Sequence, residues 1–306
     1  MALVVAGAVV VPLAGAGRAR VPAPVPAVPA AAGLDATYAA HRGNAREAAR
    51  MADAYGDRKR AAVDRALGAR QLLYFDGRGD GLVTEVLGDL ARADRVAVLV
   101  PGSDTGLDTY GRFRAAALAL HERLRDEAPD GTHTAVVAWL GYETPGTFST
   151  SVATMERAEE AAPELRAAVT ELRAVAGQRG QRTRISLLCH SYGSVVCAEA
   201  AHGLDVDDIA LLGSPGTGAR TAAALHTRAR VWAARGGDDW VENVPHLSVD
   251  LPGTTVGFGT DPVSPDFGAR VFAAGDGGHS DYFAPGSVSL ANLTRIVLGD
   301  LRAVTS

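Results

Sequence analysis

Along most of the chain the apolar positions fall in short continuous runs rather than in strict alternation. "VAVLV" (96–100), "AVVAWL" (135–140), "ISLLC" (185–189), "IALLG" (209–213), "RVWAA" (230–234) and "RVFAA" (270–274) are each five or six residues long. Runs of that length are too short for helices and suit parallel strands covered on both faces. Helical spacing between them predicts helices over 111–127, 151–176, 193–202 and 287–303, and the alternation of strand with helix predicts a doubly wound, mostly parallel α/β sheet. Upstream, "QLLYF" (71–75) and "LVTEVL" (82–87) flank "DGRGDG" and read as a hairpin. Its Arg78-Gly79-Asp80 is better explained by the needs of a tight turn than as an adhesion signal. Between Leu34 and Ala69 a sparse stripe of Tyr38, Met51, Tyr55, Val63 and Leu67 predicts one or two polar-faced helices, an N-terminal extension (34–69) of a domain spanning 34–306.

The first 33 residues have a different character. "ALVVAGAVVVPLAGAG" (2–17) has the length of a secretory signal's apolar core and is short for a transmembrane helix. The first basic residues, Arg18 and Arg20, follow this run instead of preceding it, while Ala14-Gly15-Ala16 and Ala30-Ala31-Ala32 both offer small-residue cleavage patterns. The prolines of "RVPAPVPAVPAAAG" (20–33) impose an extended linker. Export is the expectation, either secreted or held at a membrane or the cell envelope through the N-terminus. The competing reading is an Ala-rich tail on a cytoplasmic protein.

Composition narrows the partners. A 306-residue chain with 47% hydrophobic types supplies one large core or two modest ones, and a single α/β domain is the expectation. A formal charge of -5, with no Lys/Arg block interleaved with aromatics, argues against nucleic acid. Cys189 and Cys197 form no CxxC pair and no ligand spacing, so neither a zinc site nor a disulfide is expected, only two small buried side chains. No metal or organic cofactor is called for.

The chemistry concentrates at "LLCHSYGSVV" (187–196), where a strand ending at Cys189 meets a helix beginning at Gly193 and leaves Ser191 at the tip of a sharp turn. A hydroxyl there stands clear of the sheet edge and faces a helix N-terminus, as a nucleophile requires. The spacing is that of the G-x-S-x-G elbow, with Cys189 in the place of the first glycine. A thiolate at Cys189 is the rival nucleophile, disfavoured by its inward-facing strand position. The base expected after the last strand is His279, in "VFAAGDGGHSDYF" (271–283), with His246 as fallback; His190 is expected to point away from the serine. The acid belongs between serine and base in chain order. "RVWAARGGDDW" (230–240) offers Asp239, with Asp238 as alternate. Backbone N–H groups of Tyr192 and of Ser103, the latter in "VPGSDTG" (100–106), are the expected oxyanion donors, with Asp104 and Thr105 shaping the pocket. Trp240 to Phe267 is long for a connection and reads as a substrate-facing cap.

Taken together, "VAVLVPG", "VAWLGYE", "HSYGSVV", "GSPG", "VWAAR…DW" and "FGARVFAAGDGGHSDYF" resemble the α/β-hydrolase domain proteins of high-GC Gram-positive bacteria first catalogued as a domain of unknown function. The resemblance spans most of residues 70–300. It implies an α/β-hydrolase fold with Ser191, Asp239 and His279 in the triad positions, and a glycine loop at 213–216 lining the pocket. Cys189 departs from the group's glycine, and Phe258 stands where many relatives are expected to carry histidine. The activity expected is that of a serine hydrolase, taking a small-molecule acyl ester or thioester through an acyl-enzyme. The alternatives are acyl transfer by the same triad and a non-catalytic binding protein of the cell envelope on the same fold.

Overall fold

Local sequence explains where the first elements start and stop in the computed structural model, which describes residues 21–29, 33–147, 154–177, 182–244, 249–251 and 254–306. The apolar run at 2–17 and both cleavage patterns lie outside the described residues. Helix α1 (Leu34–Tyr55) ends at Gly56, whose left-handed backbone turns the chain into α2 (Arg58–Leu67). Asp57 caps α2 by accepting from the Arg60 N–H. The buried stripe of α1 differs from the expected one. Ala45, Ala48, Ala49 and Ala52 face inward with Tyr38 and His41, while Tyr55 is exposed. Small side chains let the helix lie close to the strand beneath it, so alanine carries the interface that larger apolar residues were expected to make. Residues 21–29 are irregular and rest against this unit, with the Asn44 amide donating to Val25 O.

The strands are β1 (Gln71–Asp76), β2 (Leu82–Gly88), β3 (Arg95–Val100), β4 (Thr134–Leu140), β5 (Arg184–His190), β6 (Asp208–Leu212) and β7 (Arg230–Ala234). They are followed by a small separate hairpin of β8 (Val249–Leu251) and β9 (Thr254–Val256), and by β10 (Arg270–Val271). The main sheet has eight strands in the order β1-β2-β4-β3-β5-β6-β7-β10. β2 runs antiparallel to β1 and β4, and every other pairing is parallel. At the β1–β2 turn the Arg78 guanidinium is held by Asp76 at 2.7 and 2.9 Å, so the Arg-Gly-Asp tripeptide serves its own turn.

Period-two alternation sorts each central strand between two cores. In β3, Val96, Val98 and Val100 face the layer of α4 (Glu156–Gly177) and α5 (Gly193–Ala200), while Ala97 and Leu99 face the layer of α1, α3 (Tyr110–Glu127) and α6 (Val288–Leu298). Helices therefore cover both faces of the sheet. Helix α4 begins at Glu156 rather than at 151 and α5 ends at Ala200 rather than at 202, and two elements near the C-terminus end early, each for a visible reason. The strand expected over 270–274 stops at Val271, because Ala273 N–H bonds Thr305 O and draws the chain away from β7. The helix expected to reach 303 ends at Leu298, where left-handed Gly299 caps it.

Candidate active site

Ser191, Asp239 and His279 lie at the C-terminal ends of the parallel strands, on the edge where open α/β sheets bind ligands. Ser191 follows β5 directly. Its φ of 54° is left-handed and uncommon for a side-chain-bearing residue, and such strain persists only where the surroundings fix it. Here its N–H donates to Leu212 O at 2.9 Å and its carbonyl accepts from the Ser194 hydroxyl at 2.6 Å. Gly193 permits the close contact beneath, since a Cβ there would sit 2.5 Å from Pro101 O. On the other side Gly102 touches the serine, because a Cβ at 102 would lie 2.6 Å from Ser191 Cβ.

The two cysteines overturn the expectation made for them. Both are fully buried, yet they are joined in a disulfide, with Cα atoms 6.4 Å apart. The elbow folds the chain back on itself, so the end of β5 and the second turn of α5 lie side by side. This leaves Cys189 no free thiol and removes it as a rival nucleophile.

The acid comes from the turn after β7. Asp239 is 2% exposed and caps a short 3-10 turn (Trp240–Asn243), accepting from Val241 N–H at 2.9 Å; its neighbour Asp238 is exposed and points elsewhere. The base arrives in the loop after β10, where Gly278 N–H is held by the Asp281 carboxylate at 2.9 Å. His279 Nδ1 lies 2.8 Å from Asp239 Oδ1, and its Nε2 lies 2.9 Å from Ser191 Oγ. A carboxylate only accepts, so Nδ1 carries the proton and Nε2 accepts from the serine hydroxyl. The structure thus brings together Ser191, His279 and Asp239, not Asp238. His246 lies outside the described residues.

Three further side chains adjoin the triad: His190, expected only to point away from the serine, Trp240, expected only to begin the cap, and Tyr282, for which no role was expected. Tyr282 donates its hydroxyl to Asp239 Oδ2 at 2.5 Å and accepts from Gly236 N–H at 3.1 Å. His190 places Nε2 2.6 Å from His279 O, which fixes Nε2 as its protonated nitrogen, and its ring centroid lies 4.7 Å from that of His279. Trp240, 52% exposed, packs its ring 4.6 Å from the His279 ring. Burial works to raise the Asp239 carboxyl, but the hydrogen bonds from His279, Tyr282 and Val241 outweigh it and hold it below the usual range. Burial, and secondarily the His279 imidazole, push His190 down to about 4. Burial and the Asp239 contact drive the Tyr282 phenol upward, so it remains a donor.

Gly102, Ser103 and Asp104 form the loop after β3. Asp104 has a left-handed φ of 56°, its N–H bonds Pro145 O at 3.0 Å, and its carboxylate accepts from the Thr147 backbone and hydroxyl. That tether sets the loop beside Ser191. Among the described residues, the backbone N–H groups of Ser103 and Tyr192 donate no hydrogen bond. Thr105 N–H is taken by the Thr144 hydroxyl. In the 213–216 loop, Gly213 abuts Asp239 Oδ2 and His279 Nδ1, so this loop does border the site. Phe258 is buried edge-on against Tyr192 at 5.8 Å, and Phe267 is also buried, so part of the expected cap belongs to the core. Among the described residues no His, Cys, Asp and Glu group could hold a metal ion, and no helix is long and apolar enough to cross a membrane.

A family model described as alpha/beta hydrolase matches residues 76–249, more than half of the chain, including Ser191 and Asp239. The Mycobacterium tuberculosis protein Rv2079, an uncharacterized protein, is 31% identical over 265 residues, a match covering 76% of this chain and 39% of Rv2079. This chain therefore spans well under half the length of that relative. Mb0988c of Mycobacterium bovis is 32% identical over 186 residues, covering 55% of this chain and 68% of that one. Among solved structures, esterase PE8 aligns with a TM-score of 0.48 at 20% identity, over 73% of this chain and 99% of that one. XC6422 from Xanthomonas campestris, described as an a/b serine hydrolase without lid, aligns with a TM-score of 0.42 at 17% identity, over 72% and 88%. By the family match and the eight-stranded sheet that carries it, the chain belongs to the alpha/beta hydrolase family.

Proposed function

We propose that the protein is a serine hydrolase acting on carboxylic esters or thioesters of small molecules. The observation that carries this reading is the continuous chain from Ser191 Oγ through His279 to Asp239, at 2.9 and 2.8 Å. His279 Nε2 takes the Ser191 proton as Oγ attacks the acyl carbon, and Asp239 holds the resulting imidazolium. The oxyanion forms in front of the unengaged N–H groups of Tyr192 and Ser103, each of which contributes roughly 10²–10³-fold to such a step. His279 then returns the proton to the departing alcohol or thiol. Water, deprotonated by the same nitrogen, releases the acid from Ser191.

The buried disulfide supports export to the cell envelope or beyond, because crosslinks of this kind persist in oxidising compartments and are rare in the cytosol. A fluorophosphonate probe followed by peptide mass spectrometry tests the chemistry. The expected adduct sits on Ser191 and disappears in His279→Ala. A folded wild-type protein left unlabelled would return the fold to a binding role.

A further inference from the structure

Resting on that reading of the triad, we propose that Tyr282 is a fourth, positioning residue of the relay. Its hydroxyl holds the second oxygen of Asp239, so that the loop bearing the base clasps the acid at two points. His279 reaches Oδ1 at 2.8 Å, and three residues later on the same loop Tyr282 reaches Oδ2 at 2.5 Å. The direction of the second bond is fixed by chemistry. A carboxylate only accepts, so the phenol must donate to it, which leaves the phenolic lone pair for Gly236 N–H at 3.1 Å. Tyr282 therefore joins three things: the acid's carboxylate, the turn from which the acid projects, and the loop that delivers the base. Those two loops already touch, since a Cβ on Gly236 would lie 1.9 Å from Gly277 O.

Burial gives the contact its consequence. Asp239 and Tyr282 are each 2% exposed, so solvent has little access to Oδ2 if the phenol is removed, and a Cβ on Gly213 would sit 2.6 Å from that oxygen. Both carboxylate oxygens are held in the present arrangement, which fixes the plane of the carboxylate and hence the direction of the His279 Nδ1 bond. The phenol also draws charge toward Oδ2 and moderates the pull of Asp239 on the imidazolium. Other charged or titratable neighbours are His190, whose ring lies 4.7 Å from His279 and 5.6 Å from Tyr282; Arg235, ion-paired with Asp261; and the loop carboxylates of Asp238, Asp276 and Asp281. Substituting Tyr282 leaves all of these in place, so a displaced pH profile reports on the phenol.

The test is the second-order rate of fluorophosphonate labelling and of p-nitrophenyl acetate hydrolysis as a function of pH, in wild type, Tyr282→Phe and a protein carrying fluorotyrosine at 282. Labelling of wild-type Ser191 establishes the parent reading; without it the triad itself fails, separately from this inference. With it in hand, Tyr282→Phe is expected to slow both reactions roughly tenfold to a hundredfold. Its acid limb should move to higher pH by roughly half a unit or more, because an Asp239 deprived of its second donor attracts the protonated imidazole more strongly. Fluorotyrosine, of nearly the same size and a stronger donor, is expected to move that limb to lower pH, and it decides the matter alone if the Phe variant does not fold. Limbs that superimpose on the wild type in the folded variants would overturn the proposal and reduce Tyr282 to a packing residue.

Discussion

Replacing Cys189 and Cys197 together with alanine removes a crosslink between residues eight apart in sequence, and the size of the effect follows from that separation. Closing so short a loop restricts the unfolded chain by about 2.5 kcal/mol at 25 °C on the chain-entropy model. Both side chains are fully buried, so loss of the two sulfurs adds a packing cost of roughly 1 kcal/mol. Unfolding entropy of about 2.1 cal/mol/K per residue, over the roughly 270 residues from Leu34 onward, amounts to about 0.6 kcal/mol/K. The variant should therefore melt about 4–6 °C below the wild type. Alanine is the right replacement, because serine would bury two hydroxyls in an apolar cluster.

Calorimetry of both proteins without reductant measures this, paired with alkylation of the unfolded wild type to count free thiols. The same experiment separates stability from catalysis. Ser191 keeps its left-handed turn through Leu212 O and the Ser194 hydroxyl, neither of which involves a cysteine. The folded variant should thus still label at Ser191. A melting point unchanged within a degree, or two alkylated cysteines in protein recovered from an oxidising compartment, would refute the crosslink.

Three further outcomes follow from the geometry. Asp239→Asn, which forces the wrong His279 tautomer, should lower kcat by about 10⁴-fold, while Asp238→Asn should leave steady-state kinetics close to wild type. His190 is neutral in the folded state, its value lowered from 6.5 to about 4 by burial and by His279. The unfolded chain therefore protonates first as pH falls, so this contribution is complete above about pH 6.5 and is lost between there and pH 4, on the order of 3 kcal/mol in all. Chemical denaturation from pH 7 to 4.5 should show that decline, and His190→Gln should flatten it; equal slopes in both proteins would place the titration elsewhere, His41 and His121 being lowered by burial as well. Gly193→Ala drives a Cβ to 2.5 Å from Pro101 O and 2.6 Å from Val100 O, both backbone atoms, so soluble protein with normal labelling would contradict the close approach described at the elbow.

How much of this was legible in the chain depended on whether the signal was local. The strands were, because a five-residue apolar run buried on both faces looks the same wherever its neighbours lie, and so was the elbow, where strand, serine and helix are consecutive. Asp239 and His279 were reachable through chain order, since a fixed sheet topology places the ends of β7 and β10 on the same edge of the sheet as the end of β5, with β6 between β5 and β7. The alanine stripe of α1 was not, because alanine is equally at home on a surface and only the proximity of β1 decides its burial. The disulfide was missed for a geometric reason that the elbow itself contains: a sharp reversal at Ser191 sets residue 189 against residue 197, a relation that ligand-spacing rules do not encode. Tyr282 marks the further limit. Three residues from His279 in "HSDYF", it reads as one more aromatic on a loop, and its meaning appears only once a distant turn presents Asp239 with one oxygen already taken. Residues that carry out a step can be found by the chemistry of their type; residues that hold another residue in place are defined by what they touch.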